Sequence, residues 1–362
     1  MGRPVSTQSA WWPRYHPCMD SPRRAQRRGH RTSPTTTDEG PRAFGPVDHD
    51  RFPDRETRLA IDGGRASQRF RDLLAESGPI LADGAMGTML FANGLQFGDP
   101  PEVWNLEHPE IIRRVQRGYL DAGSQIILTN TFGGNRLRLE LHGREDRVDQ
   151  FNRTAAVLAR VEANAAGHPA IVAGDIGPSG QLMETIGGTL TPAIAREVFG
   201  QQARALVAGG VDVLWVETMS DVSEAVAAIE GAHDAAPDMP VIATMSFDTR
   251  GRTMMGVTPE QAAEALLSAG AAAVGGNCGN GPEELVPVLQ RMRAAFPDAV
   301  LVAKANVGVP QLVGMTVSYE TTPEMMADFA RQFRNAGANV VGACCGSTPP
   351  HLQAMAEALA HA

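Results

Sequence analysis

ALVAGGVDVLWVE (205–217) contains the unit from which the fold follows. A helical tail stops at Ala208-Gly209, where glycine supplies the left-handed residue that closes a helix. The chain then enters an apolar run, Val211–Glu217, built from residue types that favour buried strands. The same Ala-Gly stop recurs at Ala122-Gly123, Ala269-Gly270 and Ala336-Gly337. Working outward, short apolar runs alternate with amphipathic stretches at Pro79–Asp83, Gln125–Asn130, Ala170–Asp175, Val211–Glu217, Pro240–Met245, Ala271–Asn277, Ala299–Ala305 and Asn339–Cys344. Helix starts are marked by Thr258-Pro259-Glu260, Pro282-Glu283-Glu284 and Thr322-Pro323-Glu324, with proline and acids in the first turn. Eight βα units predict an α/β fold of (β/α)8 TIM-barrel type over residues 67–362. An open doubly wound sheet usually has fewer strands and a nucleotide fingerprint, and neither G-x-G-x-x-G after a strand nor G-x4-G-K-[ST] is present.

Residues 1–66 are rich in Arg, Pro, Ser, Thr and Asp without an apolar period, which reads as a disordered extension. The chain of 362 residues is 43% hydrophobic and carries a net charge of −9. Residues 1–70 hold 13 Arg against 8 Asp+Glu, so the rest stands near −14. An acidic body argues against nucleic acid as a partner. No apolar run approaches the roughly 20 residues of a membrane span. Four cysteines make no disulfide framework at this length, so a cytoplasmic location is expected. Of 32 basic residues only Lys304 is a lysine, and it closes the seventh run.

Active sites of such barrels lie at the carboxyl ends of the strands. Reading those ends gives Asp83, followed by Gly84, in DGAMGT; Asn130-Thr131 in NTFGGN; Asp175 in GDIGPSG; and Glu217 in VETMSD. Ser246 and Asp248, Asn277-Cys278, Lys304 with Asn306, and Cys344-Cys345 complete the set. Asp83 and Asp175 each precede or approach a glycine and also suit turns. A carboxylate closing the buried run before Glu217 calls for a cationic partner. Asn277 suits a cap on the turn before Cys278.

Cys278 in GGNCG and Cys344-Cys345 in GACCG fall at the sixth and eighth strand ends. Three thiols match a catalytic zinc site, which keeps a fourth position open, whereas a structural site closes with four protein ligands. Neighbouring residues on a strand face opposite ways, so Cys344 and Cys345 share a metal only where the backbone turns, with Gly342 and Gly346 supplying the freedom. Two alternatives stand beside this: a redox protein using Cys344-Cys345 as a vicinal dithiol, and a non-catalytic zinc-binding protein.

In this order and spacing, DGAMGT, NTFGGN, GDIGPSG, VETMSD, MSFD, GNCGNGPEE and GACCGSTPPH resemble the homocysteine S-methyltransferase family. That family includes betaine–homocysteine methyltransferases and the homocysteine domain of cobalamin-dependent methionine synthase. The resemblance runs from about Leu81 to His351. It implies Zn2+ on Cys278, Cys344 and Cys345, and Asp83 and Glu217 around the amino group of homocysteine. Backbone near Gly84–Thr88, or Lys304, is then available for the substrate carboxylate. Betaine leads as methyl donor on resemblance, with S-methylmethionine or a corrinoid protein carrying methylcobalamin as alternatives. A quaternary donor calls for aromatic faces, for which Phe91, Phe97, Trp104, Phe132, Phe247 and Tyr319 are candidates.

Overall fold

The computed structural model describes residues 63–76, 78–309, 311–313 and 316–360, with side chains from residue 68 onward except those of 311–318. The extension predicted over 1–66 falls outside these residues apart from its last four, which open the helix Gly63–Ala75. The strands are β1 (Ile80–Leu81), β2 (Ile126–Leu128), β3 (Ile171–Ile176), β4 (Val213–Met219), β5 (Val241–Met245), β6 (Ala273–Cys278), β7 (Leu301–Ala305), β8 (Gln311–Val313), β9 (Thr316–Ser318) and β10 (Val340–Ala343). Eight of them pair in parallel in the order β1-β10-β7-β6-β5-β4-β3-β2. The remaining gap is bridged between Ala82 and Ile126, and the Gln125 amide donates to the Leu81 carbonyl at 2.7 Å. The result is the predicted (β/α)8 barrel, nearly closed, with helices between successive strands. The antiparallel hairpin β8–β9, which the sequence reading passed over, is inserted after β7.

Local chemistry accounts for the joints. Gly123, Gly270 and Gly337 take the left-handed backbone expected of helix stops, at φ of 100°, 99° and 96°. At the fourth stop the expectation is corrected: Gly209 is right-handed at φ −85° and the left-handed residue is Gly210, one further on. Thr258 and Gln261 form a reciprocal capping box at the start of Pro259–Ser268.

Strand alternation sorts the side chains into two cores. Ile126, Leu128, Ile171, Ala173, Val213, Trp215, Ile242, Ala273, Val302 and Val340 fill the lumen, and Phe70 and Leu73 of Gly63–Ala75 join the same cluster. A larger cluster lies between sheet and helices. Continuing the inward alternation toward the strands' carboxyl ends reaches Asp175, Glu217, Thr244, Asn277 and Lys304, all buried. The lumen is therefore apolar below and polar at its top layer.

At the amino end of β4, buried Asp212 accepts from the Val172 amide at 2.8 Å and pairs with Arg69 at 2.7 Å and with Arg160. Asp212→Ala leaves the Val172 amide and two guanidinium groups without this acceptor. The expected loss is about 3 kcal/mol, or a melting temperature lower by roughly 6–12 °C. An unshifted melting curve would show that the cluster contributes nothing.

Candidate active site

β6 ends on Cys278, whose backbone is left-handed at φ 60° and is followed by Gly279 at φ 72°. β10 ends at Ala343 and the chain turns, with the Ser347 amide donating to the Cys344 carbonyl at 3.1 Å and Gly346 left-handed at φ 83°. Gly342 serves a different purpose from the turning freedom expected of it. It lies within the strand, where an added Cβ would meet Ala82 Cβ and the Asp83 carbonyl at 3.1 Å. The Cys278, Cys344 and Cys345 sulfurs lie within 4.8 Å of one another across β7. Tetrahedral bonds of about 2.3 Å would put such sulfurs about 3.8 Å apart, so one soft divalent ion fits with little adjustment. Asn306 braces both loops: its Nδ2 donates to the Gly279 carbonyl at 2.7 Å and its Oδ1 accepts from the Cys345 amide at 3.0 Å.

Mutual hydrogen bonding drives the three thiols apart in acidity. Hydrogen bonds donated by Cys344, then by Cys345 and Asn306, bring Cys278 down to about 3. The same hydrogen bonding to Cys278 pushes Cys344 up to about 11 and Cys345 well above the ordinary thiol range.

Beside the thiols lies a buried charge cluster. Lys304, only 3% exposed, places Nζ 3.4 Å from Asp83 Oδ1 and 3.8 Å from Glu217 Oε2. Asp83 Oδ2 also accepts from the Leu128 amide at 2.8 Å. Burial works against the charge on Lys304, yet Glu217 and then Asp83 hold its ammonium well above the usual range. Burial raises Asp83 as well, against the pull of Lys304. Asp175 points into the same space, and among the described residues its Oδ1 has no hydrogen-bond partner. Burial, then the neighbouring Glu217, raises its carboxyl well above the ordinary range. Three carboxyl groups, those of Asp83, Asp175 and Glu217, thus share one ammonium.

Other predicted residues do not join this cluster through their side chains. Asn130 donates to the Pro101 carbonyl at 2.8 Å and to Asn105 Oδ1 at 3.1 Å, and the Thr131 hydroxyl donates to the Asp175 carbonyl at 2.7 Å. Both fix the loop after β2. Gly84 packs where a Cβ would strike Ser347 Oγ at 2.5 Å and the Tyr119 ring at 2.8 Å, and the Ala85 amide donates to Ser347. Among the aromatics, Trp104 and Phe247 are buried in the outer core, Phe91 and Phe97 stack at 4.6 Å, and Phe132 lies against Gly177. Tyr319 alone reaches the thiols: its ring abuts Gly346, and burial, then the charge on Cys345 and Cys278, pushes its hydroxyl up to about 12. The bracing by Asn306 was not anticipated. Its position after the Lys304 strand was the available signal, but its partners are set by loop geometry.

Three converging thiols at the mouth define a (β/α)8 barrel with a thiol cluster at the carboxyl ends of its strands. A sequence profile described as homocysteine S-methyltransferase matches residues 80–359, from the first barrel strand to the last helix, and the chain belongs to that family. It is 31% identical over 298 residues to a methionine synthase of Mycobacterium tuberculosis and 30% over 297 residues to that of Mycobacterium leprae. Each alignment covers 78% of this chain, which spans about a quarter (25% and 24%) of those relatives' length. The fold also matches the metallated form of the homocysteine methyltransferase MmuM from Escherichia coli, with TM-score 0.67 and 24% identity over 80% of this chain and 99% of that one.

Burial holds the Glu217 carboxyl up at about 7 against an ordinary 4.5. Between those values the folded state binds more protons than the unfolded, so this group's contribution to stability falls as pH rises and the deficit is complete above pH 7. Glu217→Gln removes the buried charge. It should melt higher than wild type at pH 8, with the gap narrowing toward pH 5. Equal gaps at both pH values would show that Glu217 does not titrate in this window.

Proposed function

We propose that the chain transfers a methyl group to the sulfur of homocysteine, giving methionine, with Zn2+ held by Cys278, Cys344 and Cys345 and betaine as donor. The observation that carries this is the pairing of a three-thiol corner with a buried cluster of three carboxyl groups around one ammonium. The first suits a thiol substrate and the second an α-ammonium group. A zinc ion there supplies a fourth position at which a substrate thiol is held as its nucleophilic thiolate near neutral pH. Family membership and the metallated structure of the fold relative support the metal.

The chain's own residues then have these parts. Asp83 and Glu217 accept hydrogen bonds from the substrate ammonium. Lys304, already between them, shares the acids and turns toward the substrate carboxylate, for which the backbone at Gly84 is the second contact. Asn130 and Thr131 shape the loop that walls the site. The sulfur lone pair forms the new S–CH3 bond as the N–CH3 bond of betaine breaks. The bonding electrons pass to nitrogen, and dimethylglycine leaves. Tyr319 is the aromatic placed to face a cationic donor. Free thiols at the centre suit a cytoplasmic location.

A second donor reading has its own observation. Phe97, Leu182, Met254 and Val309 are 76%, 62%, 67% and 57% exposed, each on a loop following a barrel strand. Apolar side chains at the mouth suit a protein that delivers the methyl group, such as a corrinoid protein. Methionine formation assayed separately with betaine, S-methylmethionine and a methylated corrinoid protein separates the donors.

Cys278→Ser, Cys344→Ser and Cys345→Ser should each remove most of the zinc and most of the methyl transfer, read by metal analysis and methionine formation. Full zinc retention in one variant would remove that residue from the ligand set. A protein that lacks zinc as purified and cycles Cys344-Cys345 between thiol and disulfide would instead be a redox protein.

Lys304→Arg keeps the charge but puts a planar fork where a compact ammonium fits between two acids. We expect kcat/KM to fall at least about tenfold, roughly 1.4 kcal/mol, with zinc content unchanged. Wild-type kinetics with both substrates would make Lys304 a bystander.

A further inference from the structure

Two non-glycine residues hold left-handed backbone at the ends of barrel strands, Thr218 at φ 62° and Cys278 at φ 60°. For a β-branched residue such as Thr218 this conformation is an outlier, kept only where the surroundings enforce it. Thr218 sits in a bulge of β4, whose register against β5 slips between Val216 and Met219. Bulges of this kind re-aim neighbouring side chains, and the neighbour here is Glu217.

One carboxamide reaches the first strained turn from the residue that precedes the second. Asn277, 1% exposed, accepts on Oδ1 from the Thr218 amide at 2.8 Å and from Thr244 Oγ1 at 2.7 Å. Its Nδ2 donates to Thr218 Oγ1 at 2.7 Å, and its main-chain carbonyl accepts from Ser246 Oγ at 3.1 Å. Trp215 Nε1 extends the chain of bonds by donating to Thr244 Oγ1 at 3.3 Å. β4 and β6 are not neighbours in the sheet, yet Asn277 ties them together over β5. Thr218 follows Glu217 directly, and Asn277 directly precedes Cys278. Both the amide and the carbonyl of the side chain are needed: one holds the Thr218 hydroxyl, the other its backbone N–H.

We infer that Asn277 is a positioning residue that fixes the ammonium-binding carboxylate Glu217 and the metal-ligating thiol Cys278 relative to each other, by holding Thr218 through its side chain while its own main chain leads into Cys278. The inference rests on the proposed roles of those two residues. It makes the spacing between the substrate's two anchor points a property of one side chain.

Zinc dissociation constants from competition with a chromophoric chelator, and KM and kcat for homocysteine, test it in wild type, Asn277→Ala, Thr218→Gly and the double variant. Asn277→Ala should weaken zinc binding and raise KM by about tenfold or more, the scale of residues that orient metal ligands. Glycine adopts left-handed backbone without strain, so adding Thr218→Gly should return KM toward wild type while zinc binding stays weak. A residue that merely fills the core would lower the melting temperature without this split. Unchanged zinc affinity and KM in Asn277→Ala overturn the inference, as does a KM that Thr218→Gly fails to recover. Should Asn277→Ala not fold, Thr244→Val removes one bond to Asn277 while keeping the shape. It is expected to move both constants the same way by about threefold, and no movement in either overturns the inference. A wild type that takes up no zinc overturns the functional reading and this inference with it, whereas a normal wild type beside an unaffected Asn277→Ala overturns this inference alone.

Discussion

Eight short strands closing on themselves leave a lumen too narrow for water, so each inward position must be apolar or find a partner. That constraint separates the two ends of the barrel. Below, Ile171, Val213 and Trp215 fill the space with hydrocarbon. Above, where the strands splay into loops, Asp83, Asp175, Glu217 and Lys304 are buried together. Charges so placed are tolerable only because an ammonium stands among the acids. The polar layer is thus a strained element supported by a well-packed one, with the stability deficit located where a ligand can relieve it.

The thiol corner depends on the same division. Cys278 and Cys344 reach each other across β7 because both strands stop at the rim, and the turns there are set by left-handed backbone and by the Asn306 side chain. Rigid strands deliver the sulfurs, while irregular backbone aims them. Neither could do so alone: a regular strand would send Cys344 and Cys345 to opposite faces, and an unbraced loop would not hold three sulfurs within 4.8 Å.

The architecture was legible because βα units announce themselves by period and by helix stops, and each of the eight apolar runs contains or overlaps a barrel strand. The thiols were legible because ligand chemistry restricts residue type. What the sequence concealed was partnership. Nothing local to Asn277 reveals that its carboxamide reaches Thr218 on a strand that is not its neighbour. The left-handed backbone at Thr218 has no propensity signature, since threonine disfavours it. Lys304 stood out by composition, but its placement between the two acids depends on three strands closing into a ring. The errors were of the same kind: Gly342 serves close packing rather than turning, and the left-handed stop before β4 falls one residue late.

The isolation of Lys304 has a practical consequence. As the only lysine in the chain, it is the one side chain that can react with amine-directed reagents, and at 3% exposure it is shielded from them. Acylation at this position therefore requires Nζ to become exposed and to lose its proton, and at fixed pH its rate is a chemical clock for that exposure. Mass spectrometry of the peptide around residue 304 would follow the clock without an introduced label, and ligands that occupy the mouth would slow it.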